Sequence, residues 1–172
     1  MKNANGRFWN ARKRLVVALA GIPAVDAATA AVREEPVSTE ENKAVVRAFV
    51  DAWNDKRFER FDDLMAAGAT LTVGGATISC DPVATRAIAE HWCAGFPDYR
   101  FDLLDLVAEG DKVVARMPFT GTLTGPVLDL RPNGRSVRVD EIVIFRIAAG
   151  RIVEAWEVFD EHSMRRQLEG PH

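Results

Sequence analysis

Several features are scarce in this sequence, and each scarcity removes a class of chemistry. Cysteine occurs only twice, as Cys80 and Cys93, and the two do not form a CxxC pair. The three histidines are His91, His162 and His172, and no two of them have metal-ligand spacing, so no metal site is expected. Tyrosine occurs once, as Tyr99. Neither GxGxxG, GxxxxGK[ST] nor GxSxG is present, which leaves nucleotide-binding and serine-hydrolase readings without support. No excess of one charge is found. The 22 basic and 25 acidic residues give a formal charge of −3, so nothing favours a nucleic-acid partner. No apolar run reaches the roughly 18 residues that a bilayer span needs.

What is present is an ordinary globular composition. Of the 172 residues, 48% are hydrophobic and 27% charged, enough apolar side chain for one domain with a real core. The first 37 residues stand apart. Arg7, Arg12, Lys13 and Arg14 precede an apolar stretch, residues 15–25, and Ala28-Thr29-Ala30 has the small-x-small form of a signal-peptidase site. Pro23 and Asp26 interrupt that pattern, which leaves an extra amphipathic helix or an over-long start as the other reading. The expectation is a cytoplasmic protein, with export through an N-terminal signal as the alternative. Residues 1–37 are read as an extension and linker, residues 38–170 as the folded domain.

Ser38-Thr39-Glu40-Glu41 is a capping box, and Val46, Phe49, Val50 and Trp53 follow at helical spacing. A short second helix is expected over 58–65, then two short strands, 69–73 and 76–79, around Gly74-Gly75. Asp81-Pro82 reads as an N-cap with proline at the first helical position, and Gly95 as the stop of that third helix. The remainder reads as strands 99–109 and 112–121 around Gly110-Asp111, a proline-containing loop 122–135, strands 136–147 and 151–159 around Ala148-Ala149-Gly150, and a closing helix 163–168. Helices followed by long antiparallel strands define an α+β order, with a curved, mostly antiparallel sheet wrapped as a cone around the N-terminal helices and enclosing one pocket.

Side-chain parity assigns the strand faces. Val137, Val139, Glu141, Val143, Phe145 and Ile147 form an apolar row interrupted by one glutamate. Val153, Ala155, Glu157 and Phe159 form another, and Val113, Ala115, Met117 and Phe119 a third. A three-residue loop at Ala148-Ala149-Gly150 would pair Ile147 with Arg151 and set Glu141 directly opposite Glu157. Two carboxylates so close in an apolar cavity cannot both ionise easily, which yields one acid and one base. Trp53, Trp92, Met117, Phe119, Val143 and Phe145 are expected to wall the cavity, with His91 beside them. Trp156 and Ile144, on the opposite parity, would need cover from a partner.

The segments AFVDAWN (48–54), GFPDYRF (95–101), AEGDKVV (108–114), IFRI (144–147), GRIVEAW (150–156) and RQLE (166–169), in this order and spacing, resemble SnoaL-like polyketide cyclases. That family shares the nuclear-transport-factor-2-like cone fold with ketosteroid isomerase and limonene epoxide hydrolase. The resemblance spans residues 39–170. It implies a cofactor-free cyclase of polyketide-derived or other secondary metabolism, such as antibiotic biosynthesis, acting on a small hydrophobic substrate as a homodimer. The catalytic carboxylate of the aldol cyclases, in the last strand after the Trp156 position, corresponds to Glu157, as does that of the epoxide hydrolase. The cyclase histidine and the isomerase oxyanion aspartate both fall on Val143, the isomerase base falls near Gly74, and its first-helix tyrosine on Trp53. The epoxide hydrolase arginine and aspartate fall on Met117 and Phe119. Glu141, on the same face two residues from Val143, is the candidate replacement for the histidine. Three functions follow: acid/base ring closure with Glu157 as base and Glu141 as acid, epoxide opening by the same pair, or non-catalytic binding of a small molecule.

Overall fold

A computed structural model of the chain describes residues 38–169. The signal-like or helical extension expected over residues 1–37 lies outside the described residues. Helix α1 (Thr39–Asn54) begins at the expected capping box: Glu41 N donates to Ser38 Oγ at 3.2 Å, and Ser38 N donates to Glu41 Oε2 at 2.9 Å. Its apolar stripe buries Val46, Phe49, Val50 and Trp53. A 3-10 turn (Phe58–Arg60) leads into the short helix α2 (Phe61–Leu64). The hairpin β1 (Met65–Val73) and β2 (Ala76–Ser79) turns at Gly74-Gly75, both at positive φ, a two-residue turn that matches strand twist. Asp81 then caps α3 (Pro82–Gly95), accepting a 2.8 Å hydrogen bond from Ala84 N.

Seven further strands follow: β3 (Arg100–Phe101), β4 (Asp105–Glu109), β5 (Lys112–Arg116), β6 (Phe119–Thr122), β7 (Ser136–Val139), β8 (Glu141–Ala148) and β9 (Arg151–Phe159); helix α4 (Glu161–Glu169) closes the fold. They form a six-stranded sheet of order β2-β1-β9-β8-β5-β4 and a three-stranded sheet of order β3-β6-β7. All pairings are antiparallel except β1 with β9. The long strands expected over 99–109, 112–121 and 136–147 are therefore each split between the two sheets. The breaks fall at residues 102–104, at Met117-Pro118, where the proline removes one ladder donor, and at Asp140. Asp102 N donates to Pro118 O at 3.1 Å and Met117 N to Glu141 O at 2.9 Å, so the two sheets stay stitched across the corner. Parity survives the breaks: Val113, Ala115, Met117, Phe119, Val137, Val139, Val143, Phe145 and Ile147 are all buried.

Two expectations are corrected here. Helix α3 ends at Gly95 as expected, but Gly95 has no left-handed backbone. It is needed for close approach, because a Cβ there would lie 2.4 Å from Val127 Cβ, and one at Gly125 would lie 1.7 Å from Ala94 O. The loop 122–135 is accordingly anchored on α3 through its first half, while residues 131–135 are exposed. Thr124 N and Gly125 N both donate to Gly95 O, and Leu123, Val127 and Leu130 are buried. The register of β8 and β9 also differs. The turn is two residues, Ala149 and Gly150, at φ 50° and 69°. A bulge follows, between the pairs Ile147–Ile152 and Arg146–Glu154, leaving Val153 unpaired. Ile152 therefore takes the interior place expected for Val153, and Val143, not Glu141, stands opposite Glu157; Glu141 pairs with Phe159. The two glutamates are diagonal neighbours on one face.

Candidate active site

The interior of the curved six-stranded sheet, closed by α1 and α3, holds a cavity of about 110 Å³. Helix α1 contributes Phe49, Val50 and Trp53; α3 contributes Thr85, Ile88 and Trp92; the corner contributes Phe101, Met117 and Phe119; β8 contributes Glu141, Val143 and Phe145; β9 contributes Ile152, Ala155, Glu157 and Phe159. Each group arrives by the rule of its element, at helical spacing from α1 and α3 and on alternate residues from the strands. Ring contacts fix the wall. Trp53 meets Phe101 edge-on at 5.6 Å, and Trp92 meets Phe119 at 5.5 Å and Phe159 at 5.8 Å. Tyr99 backs this wall, its hydroxyl donating to Trp53 O at 2.7 Å, and burial pushes its ionisation upward.

Polar groups in the cavity are few. Thr85 Oγ1 donates to Cys80 O at 3.0 Å and lies 3.4 Å from Cys80 Sγ. Cys80 lines the cavity too, and its thiol is pushed up to about 11, mainly by burial and further by the charge of Glu157, so it is no thiolate nucleophile. The remaining polar groups are the two glutamates. Glu141 is buried at 6% exposure, and Glu157 is half-buried. Neither forms a hydrogen bond or ion pair with its side chain among the described residues. Burial lifts Glu157 to about 7. Glu141 is raised well above the usual carboxylate range, first by burial and then by the charge of Glu157. The two carboxylates share one apolar space, so once one of them ionises the other must ionise against an existing negative charge.

Of the residues singled out from sequence, Glu141, Glu157, Trp53, Trp92, Met117, Phe119, Val143 and Phe145 all line the cavity. His91 does not. Its Nε2 accepts a 3.4 Å hydrogen bond from Leu128 N, on the side of α3 facing the 122–135 segment. Cys80, Thr85, Leu71 and Phe101 line the cavity without having been foreseen. The Asp81-Pro82 cap was the available signal for Thr85, since it sets the phase of α3 from its first turn. Among the described residues, no group of three His, Cys, Asp or Glu could hold a metal ion, and no helix is long and apolar enough to cross a membrane.

Helices enclosed by a curved sheet, with one apolar cavity between them, define the class of fold, and comparison with known proteins gives the family. The family model for SnoaL-like polyketide cyclase matches residues 43–168, and the chain belongs to that family. A SnoaL-like polyketide cyclase from Agrobacterium tumefaciens str. C58 is 25% identical, covering 77% of this chain and 99% of its own, with a TM-score of 0.65. TsrD from Streptomyces laurentii is 29% identical over 77% of this chain and 97% of its own, with a TM-score of 0.69. A structure from Jannaschia sp. CCS1, assigned to the SnoaL-like polyketide cyclases, is 21% identical over 82% of this chain and all of its own, with a TM-score of 0.72; at that identity it supports the fold alone. No curated protein matches the chain in sequence.

Proposed function

We propose that this protein is a cofactor-free cyclase that closes a ring in a hydrophobic, polyketide-derived or related secondary-metabolite intermediate by general acid/base catalysis. One observation carries the reading: two carboxylates without partners project into a largely apolar cavity. An unpaired buried carboxylate is costly, and such perturbed groups cluster at functional sites. Glu157, poised near neutrality, is the base. Glu141, held neutral, is the acid.

In an aldol closure, Glu157 takes a proton from a carbon acidified by flanking carbonyls. The enolate carbon attacks a ketone carbon elsewhere in the folded substrate, a carbon–carbon bond forms, and Glu141 protonates the resulting alkoxide. The proton gained by Glu157 returns to Glu141, and the pair is reset. The diagonal register suits this division of labour, because diagonal partners stand about 7–8 Å apart and so address different substrate atoms. The aromatic wall of Trp53, Trp92 and Phe119 holds the substrate folded, which supplies the proximity part of the acceleration. The test is turnover of a neutral poly-β-keto ester, with an epoxide of similar size in parallel, by the wild type, Glu157→Gln and Glu141→Gln. Cyclisation that survives Glu157→Gln overturns the mechanism, and turnover of the epoxide alone moves the reaction to epoxide opening.

The protein acts as a homodimer in this reading, through the outer face of the six-stranded sheet. Ile144 and Trp156 pair there, half-buried, beside Val107, Ile142 and Val158 at 65%, 42% and 72% exposure. Sedimentation at micromolar concentration should show a dimer, and Val158→Lys should shift it to monomer. A wild-type monomer would remove the dimer and leave the catalytic reading intact.

A further inference from the structure

The cavity is unbalanced in charge. Its lining includes Glu141 and Glu157 but no lysine, arginine or histidine. Glu157 is approached by few titratable groups: Glu141 from β8 and Cys80 from the segment after β2, while the lining contributed by α1 and α3 (Trp53, Thr85 and Trp92 among it) carries none. The arginines of β8 and β9 are engaged elsewhere: Arg146 pairs with Glu154 on the outer face, and Arg151 donates to the carbonyls of Asp62 and Met65. Seven aromatic residues, Trp53, Trp92, Phe119 and Phe159 among them, share the rest of the lining with aliphatic side chains, Cys80 and Thr85. The faces of Trp53, Trp92, Phe119 and Phe159 are electron-rich and attract cations within about 6 Å of the ring centre.

We infer that the site selects hydrophobic ligands bearing a protonated amine, which would supply the cation that the protein itself withholds from Glu157, and that it rejects ligands bearing a carboxylate. The inference rests on the reading of the cavity as the substrate site and adds the charge class of what enters it. An alkylammonium group beside Glu157 gains an ion pair in a poorly solvated place and cation–π contact with the wall. A neutral ligand leaves the carboxylate charge uncompensated, and an anion adds a second one. Binding is linked to protonation. When Glu157 is ionised the ammonium docks directly; when it carries a proton, that proton must leave for solvent as the cation arrives.

The test is calorimetric titration of the full chain with three probes matched in shape: phenylbutylamine, phenylbutanol and phenylbutyrate. At pH 8 the amine should bind about tenfold or more tightly than the alcohol, and phenylbutyrate more weakly than either. Below about pH 7 the amine affinity should fall by up to about tenfold per pH unit, while the alcohol affinity stays flat. Glu157→Gln should bring the amine down to the affinity of the alcohol and leave the alcohol unchanged, which shows that the cavity is still formed. Equal binding of amine and alcohol by the wild type, retention of the amine preference in Glu157→Gln, or binding of neither probe would each overturn the inference. Turnover separates the two readings. Loss of cyclisation in Glu157→Gln without any amine preference refutes the charge selectivity alone. An amine preference in the wild type that is lost in Glu157→Gln, with full cyclisation by that variant, refutes the catalytic role alone.

Discussion

Strands β8 and β9 present carboxylates on both of their faces, and the two faces treat them in opposite ways. On the outer face, Glu154 stands opposite Arg146 in the ladder and meets its Nε at 2.6 Å; on the neighbouring strands Asp105 meets Arg116 Nε, also at 2.6 Å. Solvent would screen these charges in any case, and the pairing contributes little. On the inner face, Glu141 and Glu157 have no cation at all, where solvent is scarce and a partner would matter most. A fold under selection for stability alone would do the reverse, or would place apolar residues at the inner positions. The stability given up on the inner face is what acid/base chemistry needs: carboxylates that hold their protons above the usual carboxylate range.

The largest expected effect comes from breaking that inner pair chemically. Glu157→Gln should lower turnover by about 10²–10⁴-fold, the usual worth of one positioned proton transfer, and Glu141→Gln by a comparable or smaller factor. The pH–rate profile of the wild type should be bell-shaped, with its acid limb near pH 7 as Glu157 loses its proton and its alkaline limb higher, where Glu141 ionises. A flat profile between pH 6 and pH 9, measured under single-turnover conditions, would contradict the assignment of base and acid.

The same strands show how far the sequence could be read. Faces were legible, because parity along a strand is a local property; Glu141 and Glu157 were expected inward and are inward. Register was not legible, because it depends on the turn. A two-residue turn at Ala149-Gly150 requires alanine at φ 50°, which residue preference argues against, and the bulge at Val153 carries no sequence mark. The two departures shift the pairing by an even number of residues, so the face assignment survived beyond the bulge, with Ile152 inward in place of Val153, and the direct opposition of the glutamates did not. Pro118 could have revealed one sheet corner, whereas Asp140 and residues 102–104 could not. Cys80 and Thr85 were missed because a cavity is assembled between elements, and no single periodicity reports what lies across it. His91 was placed beside the cavity because it neighbours Trp92, yet adjacent residues on a helix point about 100° apart.

A smaller effect lies in stability. The folded-state pKa of Glu157, about 7, stands above its unfolded value of roughly 4.3, so the folded state holds a proton that the unfolded state releases. Stability should therefore be full below about pH 4 with respect to this group, fall as pH rises through the interval up to about 7, and level off beyond. Glu157→Gln removes the ionisation. Its denaturant midpoint should match that of the wild type near pH 4 and exceed it at pH 8, by an amount worth about 3–4 kcal/mol. Glu141 is raised by the same burial, so Glu141→Gln should also gain on the wild type as pH rises. Loss of stability at pH 8 in either variant would mean that the carboxylate is held by a partner in the folded state.

The smallest effect sharpens the contrast from the outer face. Glu154→Gln breaks the 2.6 Å pair with Arg146, at a position where both side chains keep about a third of their surface in solvent. Exposed pairs of this kind contribute about 0–1 kcal/mol, and screening by salt lowers that further. The variant should therefore unfold within about 1 kcal/mol of the wild type, with the difference shrinking in 1 M salt. Its turnover should be unchanged, since Glu154 has the parity that faces away from the cavity and its place in the ladder is fixed by Arg146 rather than by Glu157. Equal losses of turnover in Glu154→Gln and Glu157→Gln would show that any change of charge on β9 disturbs the sheet, and the inner carboxylate would lose its claim to a chemical role. Loss in Glu157→Gln alone, on the opposite face of the same strand and three residues away in sequence, assigns the effect to the cavity.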